Sequence, residues 1–176
     1  MRYADELASQ CISALSGISE GDRDRLADAI LGAETVFVFG VGRSGLVAQM
    51  FSVRLVQLGL KVYFIGDMTT PIIGPRDVVI LVSNSGDTMS VVRTAEIAKR
   101  IGTVTVGVTG SEDTDLAHLS DIVIPVCNPD ADGGIAPLGT AFEDAVLLFF
   151  DSMVPQLMRR LGTTEEEMRR RHAIWV

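Results

Sequence analysis

The sequence predicts an α/β fold, a parallel β-sheet with helices on both faces, and three observations predict it. Short apolar runs recur at residues 35–39, 61–65, 77–82, 103–109 and 121–126. The 77–82 run carries almost no polar alternation, the pattern of a strand covered on both faces. Segments of helical character separate these runs, at 46–58, 89–100, 114–119 and 140–160. Strands that alternate with helices in this way pair in parallel and place their ligands beyond the strand C-terminal ends.

Two helices within residues 1–32, broken at Ser16-Gly17-Ile18-Ser19, precede the first strand. They have no partner strand, so they are expected on the flank of the domain or on another subunit. The helix at 46–58 ends near Gly59, a residue suited to a left-handed cap. A polar, proline-containing loop fills 66–76, and an irregular loop with two prolines fills 128–139. A last short helix is expected at 164–172. The 176 residues read as a single domain, 1–176, large enough for a real core, with 1–32 a helical extension and 163–176 a C-terminal helix and tail.

A formal charge of −8 argues against nucleic acid as a partner. Cys11 and Cys127 are too few for a disulfide framework and fit a reducing compartment. The opening Met1-Arg2-Tyr3-Ala4-Asp5-Glu6 has no apolar signal core, and the longest apolar run, 145–150, is too short to span a membrane. A cytoplasmic location is expected, with no membrane partner.

Ser83-Asn84-Ser85-Gly86-Asp87-Thr88 lies between a strand and a helix. A helix start leaves backbone N–H groups unpartnered at the positive end of its dipole, which suits a phosphate. The plainer reading is a turn in which Thr88 or Ser85 is the N-cap. A second loop, Gly40-Val41-Gly42-Arg43-Ser44-Gly45, matches G-x-G-x-x-G between strand and helix, the context of a dinucleotide fingerprint. Asp67 lies downstream where a ribose-binding acid would be. Against a dinucleotide stand the polar setting of Asp67, the lack of room for a substrate domain, and the second phosphate-type loop. Two loops converging on one anion suit a small phosphorylated ligand better.

Gly42-Arg43-Ser44-Gly45 with Ser83-x-Ser85-Gly86-x-Thr88 resembles the sugar isomerase (SIS) domain family. Pro137-Leu138-Gly139-Thr140 to Glu143, with Arg170-Arg171-His172-Ala173, resembles the branch that interconverts 3-hexulose 6-phosphate and fructose 6-phosphate. The resemblance spans nearly the whole chain. It implies a three-layer, flavodoxin-like domain with a five-stranded sheet, a homotetramer with active sites at subunit contacts, a phosphosugar substrate, and no metal or organic cofactor. It assigns Ser44, Ser83, Asn84, Ser85 and Thr88 to the phosphate, Asn84 mainly through its backbone, and Glu143 and His172 to catalysis. Gly42 and Arg43 lie beside the substrate. Asn84 stands where the family often has glycine, and Ile174-Trp175-Val176 where it tends to end Asn-Leu-Glu.

The residues themselves leave rival readings open. Arg43 pairs with phosphate or a sugar hydroxyl, or is a solvated loop arginine. Arg54 lies about 15 Å along its helix from Ser44, so a subunit contact suits it better than the same phosphate. Moving a carbonyl between C3 and C2 needs a group that takes a proton from C2 and returns one to C3, work suited to a partly buried carboxylate. Glu143 is the candidate, yet Thr140-x-x-Glu143 also reads as a capping box. His172 ends a helix with an acidic first turn and a basic last turn, so it also reads as a C-terminal cation. His118 reads as structural or solvated. Two distant histidines without a cysteine cluster give no metal motif. Another SIS isomerase acting on an aldose 5-phosphate, and a non-catalytic phosphosugar sensor, are the rival functions.

Overall fold

A computed structural model describes residues 2–127 and 134–173. Helices α1 (Arg2–Leu15) and α2 (Glu20–Gly32) lead into β1 (Val36–Gly40), α3 (Gly42–Gln57) and β2 (Val62–Phe64). Then come β3 (Val78–Ser83), α4 (Met89–Ile101), β4 (Val104–Thr109), α5 (Asp115–Leu119) and β5 (Ile122–Pro125). A 3-10 turn, Pro137–Gly139, leads into α6 (Thr140–Leu161), and α7 (Glu165–Arg170) follows. The five strands form one all-parallel sheet in the order β2-β1-β3-β4-β5, the doubly wound arrangement that the sequence predicts.

Strand β3 is the middle of the sheet, and all six of its residues are buried. Its period of two sends Val78, Ile80 and Val82 into one core and Val79 and Leu81 into another. The first core lies under α1, α2, α3 and α6 and contains Phe51 stacked on Phe150, with ring centroids 4.1 Å apart. The second, smaller core lies under α4 and α5, with Val91, Ala95, Ala98 and Leu116. Edge strand β2 is only half-buried and has three residues, fewer than its apolar run suggests.

The two leading helices pack on their own chain. The Cys11 thiol lies 3.7 Å from the Ala141 carbonyl oxygen. Arg23 donates to the Ser152 hydroxyl and carbonyl, and Gln156 to Asp24. Arg160 pairs with Asp28. All four contacts join α1 or α2 to α6.

One boundary departs from the sequence reading. Helix α3 begins at Gly42, four residues before the expected 46, so the glycine stretch is the first helical turn and not a turn ahead of it. Close packing accounts for this. A Cβ on Gly45 would stand 2.5 Å from the Gly40 carbonyl oxygen, and one on Gly40 would stand 2.9 Å from the Gly45 nitrogen. Glycine at both positions lets the helix start directly against the strand end.

Candidate active site

Strands β1 and β3 are neighbours, with Gly40 opposite Val82, so their C-terminal loops leave the sheet side by side. The chain after β1 enters α3 on one face, and the chain after β3 enters α4 on the other. A crevice opens where such connections diverge. Both sequence-predicted loops border it.

The serine loop is held by its own polar atoms. The Ser83 hydroxyl lies 3.0 Å from the Thr88 hydroxyl and accepts from Gly86 N–H at 3.2 Å. The Ser85 hydroxyl accepts from Asp87 N–H at 3.3 Å, and Asp87 accepts from Asp115 N–H at the start of α5. Gly86 has φ +69°, and a Cβ there would stand 2.3 Å from the Thr114 hydroxyl oxygen. Only glycine has both the conformation and the space.

Three helix starts converge here, and none has a side-chain cap. The N-cap residues are Val41 for α3, Thr88 for α4 and Gly139 for α6, and none accepts a capping bond. Thr88 is the N-cap by position, as the plainer reading expects, but its hydroxyl turns to Ser83. Three other helix starts do carry a side-chain cap: Ser19 caps α2, Thr114 caps α5 and Thr164 caps α7. The uncapped starts therefore mark one place, where first-turn N–H groups stay available to an external acceptor. Helix α6 meets the serine loop through Gly139 (φ +87°), whose Cβ would stand 2.7 Å from the Asn84 amide nitrogen. The Asn84 side chain thus faces the start of α6, while its backbone carbonyl accepts from Gly110 N–H.

Glu143 is buried in the first part of α6, and Arg43 from α3 donates to it, Nε to Oε2 at 2.5 Å. The capping-box reading of Thr140-x-x-Glu143 is overturned. Gly139 is the N-cap, so Thr140 falls at the first helical position, and its hydroxyl donates to the Pro137 carbonyl. Glu143 then sits one residue beyond capping reach and turns to Arg43. The reading of Arg43 as a solvated loop arginine holds only in part: its side chain is exposed, but it lies in the first turn of α3 and is paired with Glu143. Its guanidinium also reaches Asp144, Nη2 to Oδ1 at 3.4 Å, and the hydrogen-bonded, charged Glu143 holds it above its ordinary pKa. Ser44, next along α3, is buried.

Other sequence candidates lie away from this crevice. His172 lines a pocket of about 180 Å³ with Arg54, Gln57, Glu165, Met168 and Arg169, where α7 packs on the far end of α3. Gln57 is thirteen residues along α3 from Ser44, about 20 Å at 1.5 Å per residue. Within one chain His172 is therefore remote from Glu143. Arg54 donates to Gln57 and lies 3.9 Å from Asp151, clear of the loops. His118 pairs with Asp113 at 3.4 Å, a partner the sequence reading did not foresee. Among the described residues no cluster of His, Cys, Asp and Glu side chains is placed to hold a metal ion. The tail Ile174-Trp175-Val176 and the 128–133 part of the irregular loop lie outside the described residues.

The model of the SIS domain family matches residues 29–158, well over half of the chain. The chain belongs to the SIS domain family. The 3-hexulose-6-phosphate isomerase of Bacillus subtilis is 33% identical over 97% of this chain and 96% of its own. The protein of that name from Methanocaldococcus jannaschii is 38% identical over 85% of this chain and 81% of its own. The solved structure of a hypothetical protein from Methanococcus jannaschii, from which a 3-hexulose-6-phosphate isomerase function was inferred, superposes with a TM-score of 0.90 at 32% identity, covering both chains completely.

In this SIS chain, sequence reasoning missed two site residues. Asp144 gives Arg43 its second acceptor, and the doublet Glu143-Asp144 was the available signal. Gly139 sets the start of α6, and its signal was the Pro137-Leu138-Gly139 turn.

Proposed function

We propose that this chain is a phosphosugar isomerase that interconverts 3-hexulose 6-phosphate and fructose 6-phosphate through a 2,3-enediolate. The observation that carries the reading is a buried carboxylate, Glu143, at the rim of three uncapped helix starts. A non-catalytic sensor would need the anion site and no buried acid beside it. Relatives named 3-hexulose-6-phosphate isomerase, 32–38% identical over most of the chain, support this substrate.

The phosphate is assigned to the starts of α3 and α4, with Ser44, Ser83, Ser85, Thr88 and the Asn84 backbone. Gly42 and Arg43 lie between it and Glu143. The Glu143 carboxylate takes the C2 proton, C2 and C3 become the carbons of an enediolate, and Glu143, whose proton exchanges with solvent, returns a proton to C3. The hydroxyl proton passes from O2 to O3, so C2 ends as the carbonyl. A 3-ketose with phosphate on O6 cannot close a five-membered ring, whereas fructose 6-phosphate closes through O5. A ring-opening group therefore serves chiefly the reverse direction, and His172 is assigned that role from a neighbouring subunit. No metal or organic cofactor is assigned.

A homotetramer in the cytoplasm suits these assignments. Leu46, Met50 and Val53 are exposed at i, i+4 and i+7 along α3, an apolar stripe that a second copy would cover. Among the described residues no helix is long and apolar enough to cross a membrane.

The deciding experiment is an isomerisation assay by NMR on a panel of phosphosugars. Conversion of fructose 6-phosphate to the 3-ketose is expected. Conversion of arabinose 5-phosphate instead would favour the rival isomerase, and binding without conversion would favour the sensor. Two predictions refine the assignments. Ser85→Ala raises KM about tenfold, the loss of one charge-assisted bond worth roughly 1.5 kcal/mol, with kcat less affected, because the phosphate is bound in ground and transition states alike. An unchanged KM would remove Ser85 from the cradle. Refolding Glu143→Gln and His172→Ala chains together restores fructose 6-phosphate turnover above either alone, because mixed contacts regain one intact site. No gain on mixing would argue against His172 acting across subunits.

A further inference from the structure

Arg43 bonds Glu143 and Asp144 at once, and its backbone belongs to the same helix start that the proposed reading gives to the sugar phosphate. A guanidinium has five N–H donors in one plane, so it can reach carboxylate or phosphate, but its single positive charge cannot fully neutralise two carboxylates and an incoming dianion. The side chain is 57% exposed and free to swing, while that of Glu143 is only 9% exposed and fixed in α6. Among the described residues, Arg43 is the cation recorded in contact with either acid.

We propose that Arg43 is a positioning residue shared between Glu143 and the substrate phosphate, so that phosphate binding and the Arg43–Glu143 ion pair oppose one another. The inference rests on the phosphosugar reading and deepens it. With Arg43 Nε bonded to Oε2, the Glu143 carboxylate is a weaker base toward a C2 proton, because the guanidinium beside it stabilises the charged form. A phosphate seated at the start of α3 draws the guanidinium away and leaves the carboxylate facing the sugar. A sugar without phosphate leaves the pair closed. Selection for phosphorylated sugars then acts on turnover as well as on affinity.

Thermodynamic coupling makes this measurable without turnover, since two events that oppose each other do so reciprocally. Dissociation constants for inorganic phosphate and for fructose 6-phosphate are measured by calorimetry, at one pH and low salt, on the parent, Glu143→Gln, Arg43→Gln and the double variant. Replacing the charged competitor for Arg43 with a neutral amide tightens binding of both ligands by at least about fivefold in the Arg43 background. In the Arg43→Gln background the same change has less than about a twofold effect. Equal tightening in both backgrounds would mean simple relief of charge repulsion and would overturn the proposal, as would unchanged or weaker binding with Arg43 present. Coupling with fructose 6-phosphate but not inorganic phosphate would assign Arg43 to a sugar hydroxyl and overturn the competition. Arg43→Met, which keeps the apolar stem, is the second background should Arg43→Gln fail to fold. The isomerase assay stands apart from this cycle. Turnover without coupling overturns only the inference, coupling without turnover overturns only the isomerase reading, and a parent that binds neither ligand overturns both.

Discussion

Glu143→Gln lowers kcat by at least about 10²-fold, the usual scale for a positioned proton-transfer group, while fructose 6-phosphate still binds. Glutamine fills nearly the same volume, and its amide oxygen can still accept from Arg43 Nε. The substitution leaves no buried charge unpaired: Gln is neutral, and the exposed Arg43 guanidinium is reached by water and Asp144. Stability should fall by no more than about 1 kcal/mol, from the lost interaction of a carboxylate with the start of α6. The amide cannot take and return the C2/C3 proton, so solvent deuterium should also stop entering bound substrate at the transferred position. A folded Glu143→Gln protein with near-normal turnover would remove Glu143 from the mechanism.

Gly45→Ala is the second large effect, and it acts through the fold. The added methyl would lie 2.5 Å from the Gly40 carbonyl oxygen and 2.9 Å from its carbon. Both are backbone atoms, so no side chain can swing aside and the first turn of α3 must move off β1. A cost of about 1–3 kcal/mol or more is expected, with phosphosugar affinity falling at least about tenfold as the helix start shifts. Gly42→Ala is the matched comparison. Gly42 has φ +61° and open space where a Cβ would go, so that change costs only left-handed strain, roughly 1–2 kcal/mol, without displacing the helix. Thermal melts and phosphate titrations on the pair separate crowding from conformation. Equal effects from the two alanines would show that the Gly40–Gly45 approach is not what fixes the start of α3.

The sheet was legible because its strands are buried on both faces, and residues such as 78–82 advertise that as uninterrupted apolar runs. Edge strand β2 carries a weaker signal and came out shorter than read. The start of α3 was misread because glycine-rich sequence looks like a turn, and only packing against Gly40 makes it helical. The Thr140-x-x-Glu143 pattern failed by one residue. A capping box requires Thr140 to be the N-cap, and Gly139 in the left-handed region takes that place instead. No local pattern could give the partner Glu143 has instead, because Arg43 lies 100 residues earlier. The serine loop was readable as a strand–turn–helix junction. The contrast between capped and uncapped helix starts, which singles out the crevice, needs side-chain geometry.

The packing of α1 on α6 has a consequence for the chain as it is made. The buried Cys11 and Ala14 of the first helix rest against an element that starts well over a hundred residues later; Cys11 and its partner Ala141 are 130 positions apart. At about 5–20 residues per second, a ribosome needs roughly 6–26 s to cover that span. Over that interval the sheet strands and α3 to α5 are made one after another and can pair as they emerge, yet the first helix has no seat. Its apolar face stays open to chaperones over that interval, and the larger of the two cores cannot close until α6 has been made.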